Sequence, residues 1–348
     1  MNPLAYAQER EKRSNSNTGN SRNTPDALAF LIDHERVAAY LIECVGQTKL
    51  SNFCIRTPLY VAAENDQRKL AKCLIEFGAE INRVDDDGCT PLYAASSKGH
   101  EKTVEYLAKC GAEINRSANN GGNTPLYSAA WNGHEKTAEC LVKCGAEINC
   151  TDNDGRTPLY AASADGHEKT VECLVKCGAE INCGDKSGRT PLYTASFYGH
   201  EKIVECLVKC GAEINRANND GWTPLFAASL NGHQKIVECL AKCGAEINRI
   251  DDVGRTPLHE AAWNGHDKTV ECLVKCRAEI NRADNVGWTP LCAAAWNGHE
   301  KTVECLVKCG ADINRADEEG RTPLDVAIMQ EHKNVVDFLV SRSAPKTK

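Results

Sequence analysis

Residues Thr157–Asn182 read TPLYAASADGHEKTVECLVKCGAEIN, and close copies of this stretch run along most of the chain. Thr-Pro-Leu begins at Thr57, Thr90, Thr124, Thr157, Thr190, Thr223, Thr256, Thr289 and Thr322. The interval is 33 residues at every step except Thr90 to Thr124, where it is 34 and the extra residue falls in SANNGGN. A degenerate copy starts at Thr24-Pro25, with His34 in register with the later histidines. A fixed period of this length marks a repeat array, in which each unit buries its apolar face only against its neighbours.

Each unit reads as helix, turn, helix and extended loop. Thr is a good N-cap, and Pro at the first helical position gives up no useful donor. Gly166 can end the short first helix in a left-handed conformation, and Gly178 can end the second. On a helical wheel Val171, Leu174 and Val175 define an apolar face, Glu172 and Lys176 a charged flank, and Cys173 and Cys177 the opposite flank. A helix apolar over most of its circumference suits a stack with neighbours on both sides.

The period, the motif GRTPLY followed by Ala-Ala and Gly-His, and LVKCGAEIN resemble the ankyrin repeat family from about Thr24 to Ser343. The resemblance implies an all-α ankyrin-repeat solenoid of stacked helix pairs with projecting β-hairpin loops. The expected organisation is a disordered segment over 1–23, a degenerate unit over 24–56, eight full repeats over 57–321, a capping unit over 322–343 and a tail over 344–348. Three departures stand out. Tyr or Phe follows Thr-Pro-Leu in most units, and only His259 keeps the family's frequent His. Asp66-Gln67 replaces Gly-His. Arg277 replaces the glycine after the second helix, at a cost of roughly 1 kcal/mol if it is left-handed.

Composition excludes several classes. The net charge is −7 without a long basic run, which argues against nucleic acid as the main partner. No apolar stretch approaches a membrane span, and the N-terminus lacks the apolar core of a secretory signal. A cytoplasmic or nuclear, thiol-preserving compartment is expected. The chain runs five residues past Ser343, so no recruiting domain is expected at that end.

Most of the 20 cysteines occupy two registers four residues apart, as in Cys173 and Cys177. Helix positions i and i+4 lie about 5–6 Å apart at Cβ, too far for a regular disulfide, which needs about 3.5–4.5 Å. Two thiols per helix fall short of the four ligands of a zinc tetrahedron. The cysteines therefore read as small apolar packing, and no metal or cofactor is expected. Nine of ten histidines begin second helices, which points to structure rather than catalysis. No phosphate loop, nucleophile elbow or carboxylate pair stands outside the repeat pattern, so no enzyme is expected.

Function is expected where the units differ. One variable register precedes Thr-Pro-Leu and includes Arg56, Trp222, Arg255, Trp288 and Arg321. The other ends the first helix and includes Trp131, Phe197, Trp263 and Trp296. All five tryptophans fall in these two registers, and the resemblance turns both toward a concave groove. Trp and Arg dominate binding hot spots, so Trp131, Phe197, Trp222, Arg255, Trp263, Trp288, Trp296 and Arg321 are the candidate residues for a protein partner. A monomeric array is expected. The alternatives are a recognition subunit of a larger enzyme and a thiol-rich metal or redox protein. Asn149, Asn182 and Asn215 also resemble the acceptor context of family members hydroxylated on that asparagine; packing of the amide against backbone groups is the competing reading.

Overall fold

The computed structural model describes residues 57–118 and 121–343. The expectations for 1–23, 24–56 and 344–348, and for Arg56, lie outside them, as do Asn119 and Asn120 beside the 34-residue step. The described residues form 18 helices in nine pairs, without a strand. First helices are α1 (Pro58–Glu64), α3 (Pro91–Ser97), α5 (Pro125–Trp131), α7 (Pro158–Ala164), α9 (Pro191–Tyr198), α11 (Pro224–Leu230), α13 (Pro257–Trp263), α15 (Pro290–Trp296) and α17 (Pro323–Met329). Second helices are α2 (Arg68–Glu76), α4 (Glu101–Lys109), α6 (Glu135–Lys143), α8 (Glu168–Lys176), α10 (Glu201–Lys209), α12 (Gln234–Lys242), α14 (Asp267–Lys275), α16 (Glu300–Lys308) and α18 (Lys333–Ser343).

The caps follow from the sequence. Thr157 is extended, its hydroxyl accepts from the Tyr160 amide at 3.1 Å, and Pro158 opens the helix. Six of the nine second helices carry an acid in the first turn and Lys in the last, as Glu168 and Lys176 do, which complements the helix dipole. In α9 Pro191 to Ser196 are all buried, so first helices are the middle of the stack. In α8 the buried residues are Thr170, Val171 and Leu174. The wheel placed Val175 on that face, but it is only half-buried, and Thr170 replaces it.

Residue contacts divide the chain into two compact units. Among the described residues, one holds those up to 129 and 140–146, the other 130–139 and those from 147 onward, so α5 and α6 are split between them. In the first unit α1 packs on α2 and α3, and α3 on α4. In the second, first helices α7 to α17 pack in sequence, each second helix packs on its own first helix, and α8 to α18 form a parallel row.

The loops were expected as β-hairpins. They are instead tight turns closed by two backbone hydrogen bonds, as in Asp185 N to Arg189 O at 3.0 Å and Gly188 N to Asp185 O at 2.8 Å. The Asp185 carboxylate replaces further strand pairing: Oδ1 accepts from the Ser187 and Arg189 amides at 2.9 Å, and Oδ2 accepts from Arg189 Nε at 2.8 Å. Adjacent turns join edge to edge through Lys186 N to Asp154 O at 2.9 Å and Asn219 N to Ser187 O at 2.9 Å.

Histidine bridges repeats in a way the sequence reading did not anticipate. Nε2 of His200 donates to the carbonyl of Ala164, 36 residues earlier, at 2.9 Å. The same bond joins His233 to Phe197 and His332 to Trp296, each at 2.9 Å. Each carbonyl lies at a helix end and would otherwise lack a partner. The imidazole lies across the glycine of the previous repeat: a Cβ on Gly166 would stand 2.6 Å from His200 Cε1, and its φ is +81°. Gly-His is thus one inter-repeat device.

Candidate partner-binding surface

The tryptophans fall where turns meet the ends of first helices. Trp263 closes α13 and is 41% exposed. Its ring centroid lies 6.1 Å from that of Trp288, in the turn that leads to α15, and Trp288 lies 5.2 Å from Trp296 at the end of α15. Three rings from two successive repeats therefore form one continuous aromatic strip. Trp222 stands apart from it, stacked on Phe226 at 5.1 Å. Phe197 packs beside Tyr193 and the exposed Tyr198. Trp131 is 38% exposed at the end of α5.

Arg255 and Arg321 were expected among the partner-binding residues. The structure ties both down within the turns. Arg255 Nε donates to the buried Asp251 at 3.0 Å, and its Nη1 lies 2.7 Å from Glu260 Oε1, an ion pair without hydrogen-bond alignment. Arg321 Nε donates to the buried Asp317 at 2.8 Å, and its Nη1 lies 2.6 Å from Glu319. Burial opposes the Asp317 charge, but hydrogen bonds from Arg321 and from the Glu319 amide outweigh it and hold the carboxyl below its usual range. The same aspartates serve the neighbouring tryptophans: Trp222 Nε1 donates to Asp251 at 3.3 Å, and Trp288 Nε1 to Asp317 at 3.2 Å.

Glu260 is the residue that the sequence reading missed. Its register holds Ala161, Ala227 and Ala293 in other repeats, and it is only 3% exposed. Burial pushes its carboxyl pKa up; Arg255 opposes that shift and Asp251 adds to it. Beside it His259 completes a capping box with Thr256 and donates from Nε2 to the Trp288 carbonyl at 3.0 Å, and burial pushes its pKa down. Two exposed valines, Val253 and Val286, were also missed. They occupy successive turns at a register that holds Asp154, Ser187, Asp220 and Glu319 elsewhere. In each case departure from the repeat was the available signal.

The remaining candidates are engaged with backbone. Oδ1 of Asn149 accepts from the Glu180 amide at 3.0 Å, Asn182 from Glu213 at 2.9 Å, and Asn215 from Glu246 at 2.9 Å. No cysteine among the described residues is in a disulfide. Those at the Cys173 register are half-buried, except the buried Cys272. Cys177 and its equivalents prove to be helix C-caps rather than helix interior, and Cys110, Cys210, Cys243 and Cys309 are exposed there. Burial and the adjacent Cys177 push the Cys173 thiol up to about 11, and burial with Cys144 pushes Cys140 up to about 12. Such thiols are protonated near neutrality, the reverse of an activated nucleophile.

No helix among the described residues is long and apolar enough to cross a membrane. A family model described as ankyrin repeats in three copies matches residues 21–118, 59–152, 126–218, 211–284 and 276–348. No curated protein matches the chain significantly. The helix pairs and these overlapping matches across nearly the whole length lead to one conclusion: the chain belongs to the ankyrin repeat family, a generic and usually non-catalytic class of protein-interaction module.

Proposed function

We propose that the chain binds a protein partner inside the cell as a monomeric array, through the surface from Trp222 to Arg321. The observation that carries this reading is the strip Trp263, Trp288 and Trp296, with Trp263 41% exposed. Rigid aromatic side chains supply contact area at little entropic cost. The scaffold does not require them, since Glu64, Ser97 and Ala164 hold the register of Trp263 elsewhere. Trp131, Phe197 and Trp222 extend the surface toward earlier repeats. Arg255 and Arg321 shape it by fixing the turns.

The test is selection of a random dodecapeptide display library on the immobilised chain, followed by calorimetry. Trp263→Ala and Trp296→Ala should each weaken the selected peptides by about 2 kcal/mol or more. Glu172→Ala, on the outer charged flank, should change binding little. Binding that survives both tryptophan changes in folded protein would sink the proposal.

A further inference from the structure

The charge around the tryptophan strip narrows the chemistry of the partner, on the assumption that the strip binds one. Turn and first-helix segments 217–231, 250–264, 283–297 and 316–321 hold eight carboxylates and two arginines. Their net of −6 accounts for nearly all of the chain's −7. Both arginines are occupied internally by Asp251 with Glu260 and by Asp317 with Glu319. Three of the four arginines just outside these segments are also paired, Arg216 with Glu213, Arg249 with Glu246 and Arg282 with Glu279; the fourth, Arg315, lies in the loop after α16.

Two carboxylates lie beside the strip in excess of what the fold needs. In four of the eight described turns the aspartate faces an arginine, as Asp185 faces Arg189 and Asp251 faces Arg255. In the turn before α15 that arginine is replaced by Trp288, so Asp284 binds only the Val286 and Trp288 amides, at 3.0 and 2.8 Å. Asn218 makes the same two amide bonds in another repeat without a charge. Glu260 gives Arg255 a second carboxylate, so the group Asp251, Arg255 and Glu260 carries a net negative charge, although Ala, Val, Ser or Thr fills that register in the other described repeats. Asp284 and Asp251 both lie close enough to act on His259. The aromatic faces and the surplus negative charge thus coincide in the repeats from Thr256 to Trp296, flanked by the exposed Val253 and Val286.

We propose that this surface takes a basic, extended peptide segment of a partner protein, and that one of its arginine or lysine side chains seats on Trp263 and Trp288 with Asp284 and Glu260 supplying the opposing charge. A cation over an indole face is attracted by the ring, and more strongly when water is excluded. Acidic surroundings steer basic segments in and reject acidic ones. Apolar residues flanking the cation would meet Val253, Val286 and Trp296.

The selected dodecapeptides provide the test. They should be enriched in Arg or Lys next to apolar residues, and their affinity should fall as salt is raised. Glu260→Gln and Asp284→Asn should each weaken an arginine-bearing peptide by about tenfold. The same peptide with that arginine changed to glutamine should lose less than about twofold on either change. Asp284→Asn is secure as a folded variant because Asn218 already holds that register, and Glu260→Ala, matching Ala227, serves if the glutamine perturbs the core. Peptides that need the tryptophans but lack a cation, or that bind both charge variants unchanged, would overturn this inference and leave the binding surface standing. A library that yields no binder would overturn both.

Discussion

Nε2 of His299 donates to the carbonyl oxygen of Trp263 at 2.9 Å, so the second helix of one repeat holds the helix end that presents a binding residue of the repeat before it. The imidazole also covers Gly265, whose φ is +73° and where a Cβ would stand 2.7 Å from His299 Nδ1. Scaffold and surface are therefore coupled at this point.

His299→Ala removes one exposed hydrogen bond and the contact over Gly265. It should lower unfolding free energy by about 1–2 kcal/mol, measured by denaturant titration. Hydrogen exchange should quicken at the C-terminal turn of α13 before it quickens elsewhere. Because the bond needs a proton only on Nε2, neutral and protonated imidazole can both make it. Uniform acceleration along the chain would mean that the histidine does not act locally.

Arg277 takes φ +69° where seven other repeats have glycine, as Gly178 does at φ +92°. A non-glycine residue in this region is strained. Arg277→Gly should raise stability by about 1 kcal/mol, less whatever glycine adds to the entropy of the unfolded chain. Denaturant titration of the full chain reads the sign; a loss of stability would show that the arginine makes up its strain elsewhere.

This strain was legible in the sequence because a repeat supplies its own reference: Arg277 stands where seven other copies hold glycine. The helix pairs, the caps and the grouping of Trp263, Trp288 and Trp296 were legible for the same reason. Charge pairing was not. Arg255 looked free because the pattern gives no hint that Asp251, four residues earlier, turns back to meet it. Glu260 was passed over because Ala at its register drew no attention, and burial of one carboxylate is decided by three dimensions. The histidine bridge spans 36 residues, beyond any local period.

The thiols should behave as packing. Cys173→Val with Cys177→Ala exchanges small apolar volumes and should change stability by less than about 1.5 kcal/mol. In native protein, alkylation followed by mass mapping should label the exposed Cys110, Cys210, Cys243 and Cys309 first and the buried Cys272 and Cys292 last. With its thiol pushed up to about 11, Cys173 should react slowly at pH 7 and faster as pH rises toward that value. Unfolding of the native protein by a chelator would displace this reading with a metal site.

Glu260 should carry a stability penalty that depends on pH. Its folded carboxyl titrates above its unfolded value, because burial disfavours the anion more than Arg255 favours it. The unfolded group loses its proton near about pH 4.3. As pH rises past that point the native state holds more protons than the unfolded state, so this group's contribution to stability falls. Above the folded pKa the penalty is complete and constant. Glu260→Gln keeps the side-chain shape, removes the charge and leaves Arg255 paired with Asp251. The variant should therefore melt higher than the parent at pH 7, and the difference should shrink below about pH 4, where both states of the parent are protonated. Thermal melts of the two proteins from pH 3.5 to pH 8 provide the comparison. The opposite sign at neutral pH would mean that the ion pair with Arg255 stabilises the fold. Glu260 would then be there for the turn rather than for a ligand.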